Sequence, residues 1–405
     1  MDMKLTTKKC IDFFMIKCYT LNKYSTFFLW GDSMAKNPYY SYTKIDKIKA
    51  TYNLIIGQRS NGKTYGACRK ALETYLKTGK PSVYVRRMEE MIRPMNIEGL
   101  FNPHIDYIKE ATENKYNSVV YRLHKFYLAR YDEDDKGRFV KTAQDMKPFC
   151  LTYAISTAET TKGTDPGEVA AVYFDEFITR QFYIANEFIK FQNLLSSIIR
   201  DRPNVKIYML ANTVSKHCPY FRDMGLYRIQ QQEQGTIDVY ELGKSGTKIA
   251  VEYCSPSKAT QKVSKYFCFD NPQLDMITKG SWEIAMYRHA PESLSTYKIF
   301  FTFFVIFDGK TVQGDIYNYE GYPLIFFHPK TTPIKKPEST VIYSEDQSDG
   351  NPLHQMDLRV APTKAQKLIF DLCRNRKTFF ADNETGEIIA SWAKFAMNAA
   401  AKVAI

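Results

Sequence analysis

No uncharged apolar run in this 405-residue sequence approaches the roughly 18 residues that a membrane-crossing helix needs. The apolar stretches near the amino terminus, Phe13–Cys18 and Phe27–Trp30, are short, and Lys17 and Lys23 interrupt the region. No small-residue cleavage site follows, so neither a signal peptide nor a membrane span is expected, and a soluble chain is. Histidine is scarce at 6 residues, and the 8 cysteines contain no C-x-x-C pair and no Cys/His set at zinc-ligand spacing. That spacing argues against a zinc site and for reduced thiols rather than a disulfide framework. Tryptophan is down to 3, yet 29 Tyr and 27 Phe bring the aromatic share to 15% and the hydrophobic share to 44%. Such a composition excludes a disordered, collagenous or low-complexity chain. At about 100–200 residues per domain, two or three domains are expected.

Charge is present in excess of one sign, and unevenly. The formal net charge is +12, and residues 36–130 alone hold 18 Lys and Arg against 8 Asp and Glu. A concentrated basic region points to a polyanionic partner, most simply nucleic acid, or to a merely solvated basic surface. Lys109, Lys115, Arg122, Lys125 and Arg130 are the candidate phosphate contacts within it.

Along the chain, residues 1–35 show no clear periodicity, and Met34 reads like a second beginning, so this segment is taken as an extension of uncertain role. From Tyr52 the pattern becomes α/β. Tyr52–Ile56 reads as a strand, Gly57–Gly62 as a turn, Thr64 to about Lys77 as a helix ended by Gly79 and Pro81, and Ser82–Val85 as the next strand. Val119–Tyr131 and Arg138–Thr142, flanking an acidic turn, read as an inserted hairpin. Strands at about Phe149–Ile155, Val169–Phe174 and Val205–Leu210, with a helix at about Ile184–Ile199, complete a mostly parallel sheet. The core is assigned to residues 36–245, a linker or small lid to 246–291, and a final domain to 292–405. That last domain opens with a meander from Ile299 and closes with helices at about Thr363–Arg374 and Glu384–Val403. The stripe Phe300, Phe301, Phe303 and Phe304 is expected in its core.

The strongest motif is Gly57-Gln58-Arg59-Ser60-Asn61-Gly62-Lys63-Thr64, which fits G-x-x-x-x-G-K-[ST] with a strand before it and a helix after it. Such a loop turns backbone N–H groups toward phosphates, and the following helix adds its positive end. Gly57, Arg59, Ser60, Asn61, Gly62, Lys63 and Thr64 are therefore the candidate nucleotide-binding residues. Lys63 would reach the β- and γ-phosphates of ATP, and Thr64 would bind Mg²⁺. Arg59 either touches phosphate or caps the turn. A second apolar strand, Val169–Phe174, delivers Asp175 and Glu176 to its carboxyl end, where α/β ligands bind. Asp175 would hold Mg²⁺ through water, and Glu176 would orient and deprotonate an attacking water. A third strand ends in Asn212, which would sit beside the γ-phosphate or simply form a turn. Arg200 and Arg202 end the helix after the acidic pair, where arginine is favourable in any case. Arg86 and Arg87, at the end of the second strand, are equally ambiguous.

Four stretches, the phosphate loop, Tyr84–Arg87, Phe174–Ile178 and Leu210–Val214, resemble the DNA-packaging motor ATPases of small protein-primed tailed bacteriophages (the Picovirinae type). These are a branch of the additional-strand, FtsK/HerA-like P-loop NTPases. Order and spacing match over about residues 36–220, and more weakly through Phe269–Asn271 and the meander beginning at Lys298. The resemblance implies a RecA-like core and a carboxyl-terminal RNase H-like α+β domain without nuclease activity. It implies ATP hydrolysis with Mg²⁺ driving double-stranded DNA into a procapsid. It also implies a homomeric ring, usually a pentamer, docked on the portal, in the host cytoplasm and absent from the mature virion; whether a packaging RNA takes part is open. By the same resemblance Lys63 and Thr64 bind nucleotide, Asp175 and Glu176 are the magnesium and catalytic acids, Asn212 is a sensor, and Arg200 is an arginine finger toward a neighbouring subunit. The sequence departs from the family in residues 1–35 and in a longer insertion around 99–145. Two other classes remain: a helicase or DNA-transfer ATPase, and a nucleotide-gated scaffold that binds DNA without turnover.

Overall fold

A computed structural model describes residues 39–398, apart from 161–165, 180–182, 185, 203, 243–245, 256–286, 291–293, 295 and 346–348. Residues 1–35 and the stretch Phe269–Asn271 therefore lie outside the described residues. Strands β1 (Tyr52–Gly57), β2 (Ser82–Arg86), β3 (Ser118–Arg122), β4 (Lys125–Glu133), β5 (Phe139–Gln144), β6 (Cys150–Ala154), β7 (Ala171–Asp175), β8 (Lys206–Asn212), β9 (Ile237–Leu242) and β10 (Thr247–Tyr253) form one sheet. Its order is β3-β4-β6-β2-β7-β8-β1-β10-β9, with β5 beside β4. The run from β6 to β10 is parallel throughout. Antiparallel strands close both ends.

The central strands are apolar on both faces because helices cover both faces. In β1, Leu54 and Ile56 point to the side packed by α2 (Glu187–Ile199), through Phe191, Leu194, Leu195 and Ile198. Ile55 points to the other side, where Ala67, Cys68, Ala71 and Leu72 of α1 (Lys63–Thr78) pack. Gly79 ends α1 at φ 69°, its N–H bonded to the Tyr75 carbonyl. Among the described residues no helix is long and apolar enough to cross a membrane.

Three details differ from the sequence reading. Val119–Tyr131 is two strands, because Leu123 and His124 both adopt positive φ (50° and 59°) and reverse the chain. Residues 247–253, assigned to a linker, are the core strand β10, paired in parallel with β1 from Tyr52↔Ile249 to Ile56↔Tyr253. The polar residues around it had masked a strand whose centre, Ile249–Val251, is fully inside. Of the expected aromatic stripe, Phe303 is buried but Phe300 is 54% exposed. A register irregularity between Ile299 and Phe301 turns it outward.

A second sheet has the order β15-β14-β11-β12-β13-β16. Its meander is β11 (Ile299–Phe307), β12 (Lys310–Tyr319) and β13 (Tyr322–Pro329). The short strands β14 (Ile342–Ser344) and β15 (His354–Gln355) extend it in parallel beside β11, and β16 (Thr378–Phe380) lies parallel to β13. Helices α3 (Lys364–Arg374) and α4 (Asn383–Asn398) pack on one face, with Ile369, Leu372 and Trp392 meeting Phe303, Val305, Ile316 and Phe327. A capping box between Thr363 and Gln366 starts α3.

Candidate nucleotide site

Because β2, β7, β8 and β1 are parallel neighbours, their carboxyl ends form one edge. The register Gly57↔Asn212 sets the end of β8 against the start of the phosphate loop. Asp175 pairs with Leu210 in the next strand. Arg59, Ser60, Asn61, Gly62, Lys63, Thr64, Asp175, Glu176 and Asn212 consequently line one pocket of about 340 Å³, together with Tyr65 and Ala211. The structure thus brings together all the nucleotide and acidic candidates, with Gly57 contributing its carbonyl.

Within the loop, Ser60 and Gly62 have positive φ (60° and 89°), which curls the chain around a central space. The Lys63 ammonium occupies that space, donating to the Gly57 carbonyl at 3.1 Å, the Gln58 carbonyl at 2.8 Å, Asn61 Oδ1 at 3.1 Å and Asn212 Oδ1 at 3.3 Å. Burial pushes its pKa down to about 8, against the opposing pull of Cys254 and Asp175. Arg59 is exposed on the pocket wall and makes no hydrogen bond or ion pair with a described residue.

Asp175 is buried and fully engaged. Its Oδ2 accepts from Thr64 Oγ1 at 2.9 Å and from the Tyr84 hydroxyl at 2.6 Å, with an Arg86 nitrogen at 3.5 Å. The Thr64 hydroxyl and the Asp175 carboxylate are hard oxygen donors side by side, a set that suits Mg²⁺ shared with phosphate oxygens and water. Glu176 has a left-handed backbone (φ 61°) and a half-exposed side chain whose Oε2 accepts from Arg86 at 2.8 Å. Burial works against the Arg86 charge, but Tyr84, Asp175 and Glu176 outweigh it and raise its pKa.

Arg86 and Arg87, ambiguous in the sequence, are resolved into separate roles. Arg87 donates to both Glu187 oxygens, at 3.0 and 2.9 Å, and to the carbonyls of Glu176 (3.0 Å) and Phe177 (2.7 Å). It therefore holds the turn that carries the strained Glu176 and ties it to the first residue of α2. The roles of Tyr84, Arg86 and Arg87 were not legible in the sequence because their partners lie about 90 positions away and are adjacent only through strand order. The available signals were two arginines at the end of a strand and the family resemblance of the stretch Tyr84–Arg87.

Arg200 is placed elsewhere. It follows the last residue of α2, exposed and at φ 44°. Since α2 begins at the nucleotide edge and spans 13 residues, or roughly 20 Å, Arg200 lies at the opposite edge of the sheet.

Beyond Asn212 the chain makes side-chain contacts with the elements of the second sheet and its helices before it returns to the first sheet at β9. Ser215 Oγ donates to Glu387 Oε1 at 2.7 Å, His217 Nδ1 lies 2.9 Å from Asp308 Oδ2, and Arg222 pairs with Glu345.

The sequence pattern of the podovirus DNA encapsidation protein (Gp16) family matches residues 34–242. The chain belongs to this family. It is 26% identical over 191 residues to the DNA packaging proteins of Bacillus phages PZA and phi29, covering 46% of this chain and 50% of each relative. The chain thus spans about half the length of these relatives. A solved structure described as the Phi-28 gp11 DNA packaging motor has a TM-score of 0.51 at 16% identity. That match covers 89% of this chain and 98% of the other, and shows a shared fold. The α/β, RecA-like class expected from the sequence is therefore the fold of this family member.

Proposed function

We propose that this chain is an ATPase subunit of a motor that drives double-stranded viral DNA into a procapsid. The observation that carries the reading is the convergence of Lys63, Thr64, Asp175, Glu176 and Asn212 on one pocket, in a member of the DNA encapsidation family. The loop N–H groups and Lys63 bind the phosphates, while Thr64 and Asp175 hold the metal. Mg²⁺ supplies charge neutralisation on the β- and γ-phosphates. Glu176 takes the proton of the attacking water, and Asn212, bonded to Lys63 on one side and followed by the segment 213–223 on the other, reports the γ-phosphate to the second sheet. In this reading the subunits form a ring, a pentamer by family resemblance, on the portal of the procapsid in the host cytoplasm. A packaging RNA is a further candidate partner.

The DNA contact is assigned to the basic stretch 36–130. Arg130 is engaged with Asp132 and Lys109 with Asp106, whereas Arg122 and Lys125 are exposed and paired across the β3–β4 turn. Residues 292–405 are read as an RNase H-like domain that docks rather than cuts. In support, β11 carries no acid, Asp308 is bonded to His217, and buried Asp315 is bonded to Thr302, Gln313 and His328.

The test is hydrolysis with and without duplex DNA and procapsids. Lys63→Ala should abolish tight ATP binding, while Glu176→Gln should bind ATP but hydrolyse it at least ~10²-fold more slowly, the loss of a general base. DNA binding should be sequence-independent and fall steeply with salt. Strand separation on a forked duplex would instead favour a helicase, and DNA binding without phosphate release a scaffold.

A further inference from the structure

The phosphate loop is bound from behind by residues 39–46, a segment that no motif marks. The Tyr40 N–H donates to the Asn61 carbonyl at 2.8 Å. The Tyr40 hydroxyl donates to Glu252 Oε2 at 2.6 Å on β10, and the Tyr42 hydroxyl donates to the Lys63 carbonyl at 3.0 Å in the first turn of α1. None of these tyrosines lines the pocket, so they act from its outer side. The contact is close enough to dictate glycines. A Cβ on Gly62 would stand 2.5 Å from Tyr39 Cβ, and one on Gly66 would stand 2.9 Å from the Tyr42 ring and 3.1 Å from the Tyr40 carbonyl oxygen. Gly62 belongs to the nucleotide motif; Gly66 does not, and sits in an α-helix where alanine would otherwise be favoured. Further along, Asp46 accepts from the Tyr208 hydroxyl at 2.7 Å and pairs with Lys70, anchoring the end of the segment to both β8 and α1.

We infer that Tyr40 and Tyr42 are positioning residues that hold the loop in its phosphate-binding shape before nucleotide arrives. In a trans peptide the carbonyl and the following N–H point in opposite directions. Fixing the Asn61 carbonyl outward on the Tyr40 N–H therefore aims the Gly62 N–H into the pocket. Fixing the Lys63 carbonyl on Tyr42 sets the first turn of α1, whose N–H groups face the same space. The anion-binding concavity is thus built without the anion, which lowers the ordering cost of binding. This inference rests on the nucleotide-site reading and goes beyond it by assigning affinity to residues upstream of the motif.

The experiment measures binding of a fluorescent ATP analogue, mant-ATP with Mg²⁺, and steady-state hydrolysis by the full chain. The double variant Tyr40→Phe/Tyr42→Phe keeps the rings and removes both hydroxyl tethers. It should weaken binding about five-fold or more, on the scale of one net hydrogen bond, and raise KM with kcat retained, because Asp175 and Glu176 are untouched. Loss of the two hydroxyl bonds should also lower the melting temperature without nucleotide, so the readout that a merely structural role would not move is the rise in KM with kcat retained. Gly66→Ala should weaken binding in the same way by dislodging the segment. Wild-type affinity and KM in both Tyr40→Phe/Tyr42→Phe and Gly66→Ala overturn the inference alone. Failure of the wild-type chain to bind mant-ATP, or binding unaffected by Lys63→Ala, overturns the nucleotide-site reading and this inference with it.

Discussion

Arg86 places one guanidinium between two carboxylates, 2.8 Å from Glu176 Oε2 and 3.5 Å from Asp175 Oδ2. The two acids that end β7 thus share a cation supplied by β2, at the position where a metal-bound nucleotide would bring positive charge of its own. Asp175 is only 5% exposed, so removing the guanidinium leaves its carboxylate with neutral donors, the Thr64 and Tyr84 hydroxyls and the Glu176 N–H, in direct contact.

Arg86→Ala should therefore destabilise the nucleotide-free chain by about 2 kcal/mol, the order expected for stripping a charged partner from a buried carboxylate. Mg²⁺ with ADP should restore more stability to this variant than it adds to the wild type, because the metal replaces the missing cation. Melting curves with and without Mg²⁺–ADP check both statements. An equal ligand-induced shift in the two proteins would show that Arg86 and the metal do not compete for Asp175.

The contiguous parts of this site were legible in the sequence, and the parts assembled by strand order were not. Gly57–Thr64 is a local device: loop curvature, ammonium and hydroxyl come from eight successive residues, so the pattern carries its geometry with it. Asp175 and Asn212 were found because an apolar strand delivers whatever follows it to the sheet edge. Arg86 to Glu176, Arg87 to Glu187 and Tyr40 to Glu252 depend on which strands are neighbours, and the sequence does not state that order. The β3–β4 turn escaped for a different reason. Leu123 and His124 both take positive φ, a conformation that glycine or asparagine usually signals and that nothing here announced.

His104 makes a pH prediction with a definite sign. The ring is 1% exposed and lies 4.3 Å, centroid to centroid, from Tyr65 at the pocket wall. Burial, with Arg69 adding to it, pushes its pKa from 6.5 down to about 4. The folded chain then keeps a neutral imidazole while the unfolded chain takes up a proton. This contribution to stability is complete above pH 6.5 and declines as pH falls from 6.5 toward about 4. His104→Phe should remove that component. Denaturant unfolding of both proteins across the window is the measurement, and the variant should gain on the wild type as the solution becomes more acidic. Parallel pH profiles would refute the assignment.

The last prediction concerns catalysis shared between subunits. Arg200 sits roughly 20 Å along α2 from the edge that carries the nucleotide pocket, so within one chain it cannot touch the γ-phosphate. Hydrolysis builds charge on the γ-phosphoryl oxygens, and a guanidinium brought there is worth ~10³–10⁵ in rate. Lys63 occupies the near side of the phosphates, which leaves the open side of the pocket for a residue from outside the chain. If the subunits assemble in the proposed ring, a neighbouring copy would present Arg200 there at every interface. Arg200→Ala should accordingly bind ATP normally and hydrolyse it at a rate near that of Glu176→Gln. Mixing the two nearly inactive variants creates interfaces that pair an intact Glu176 with an intact Arg200, and some hydrolysis should return with a maximum at intermediate ratios. A residue that merely caps α2 or pairs with Asp201 gives a different result. Its loss would act within its own subunit, and no mixing ratio would restore turnover even where mixed rings are shown to form.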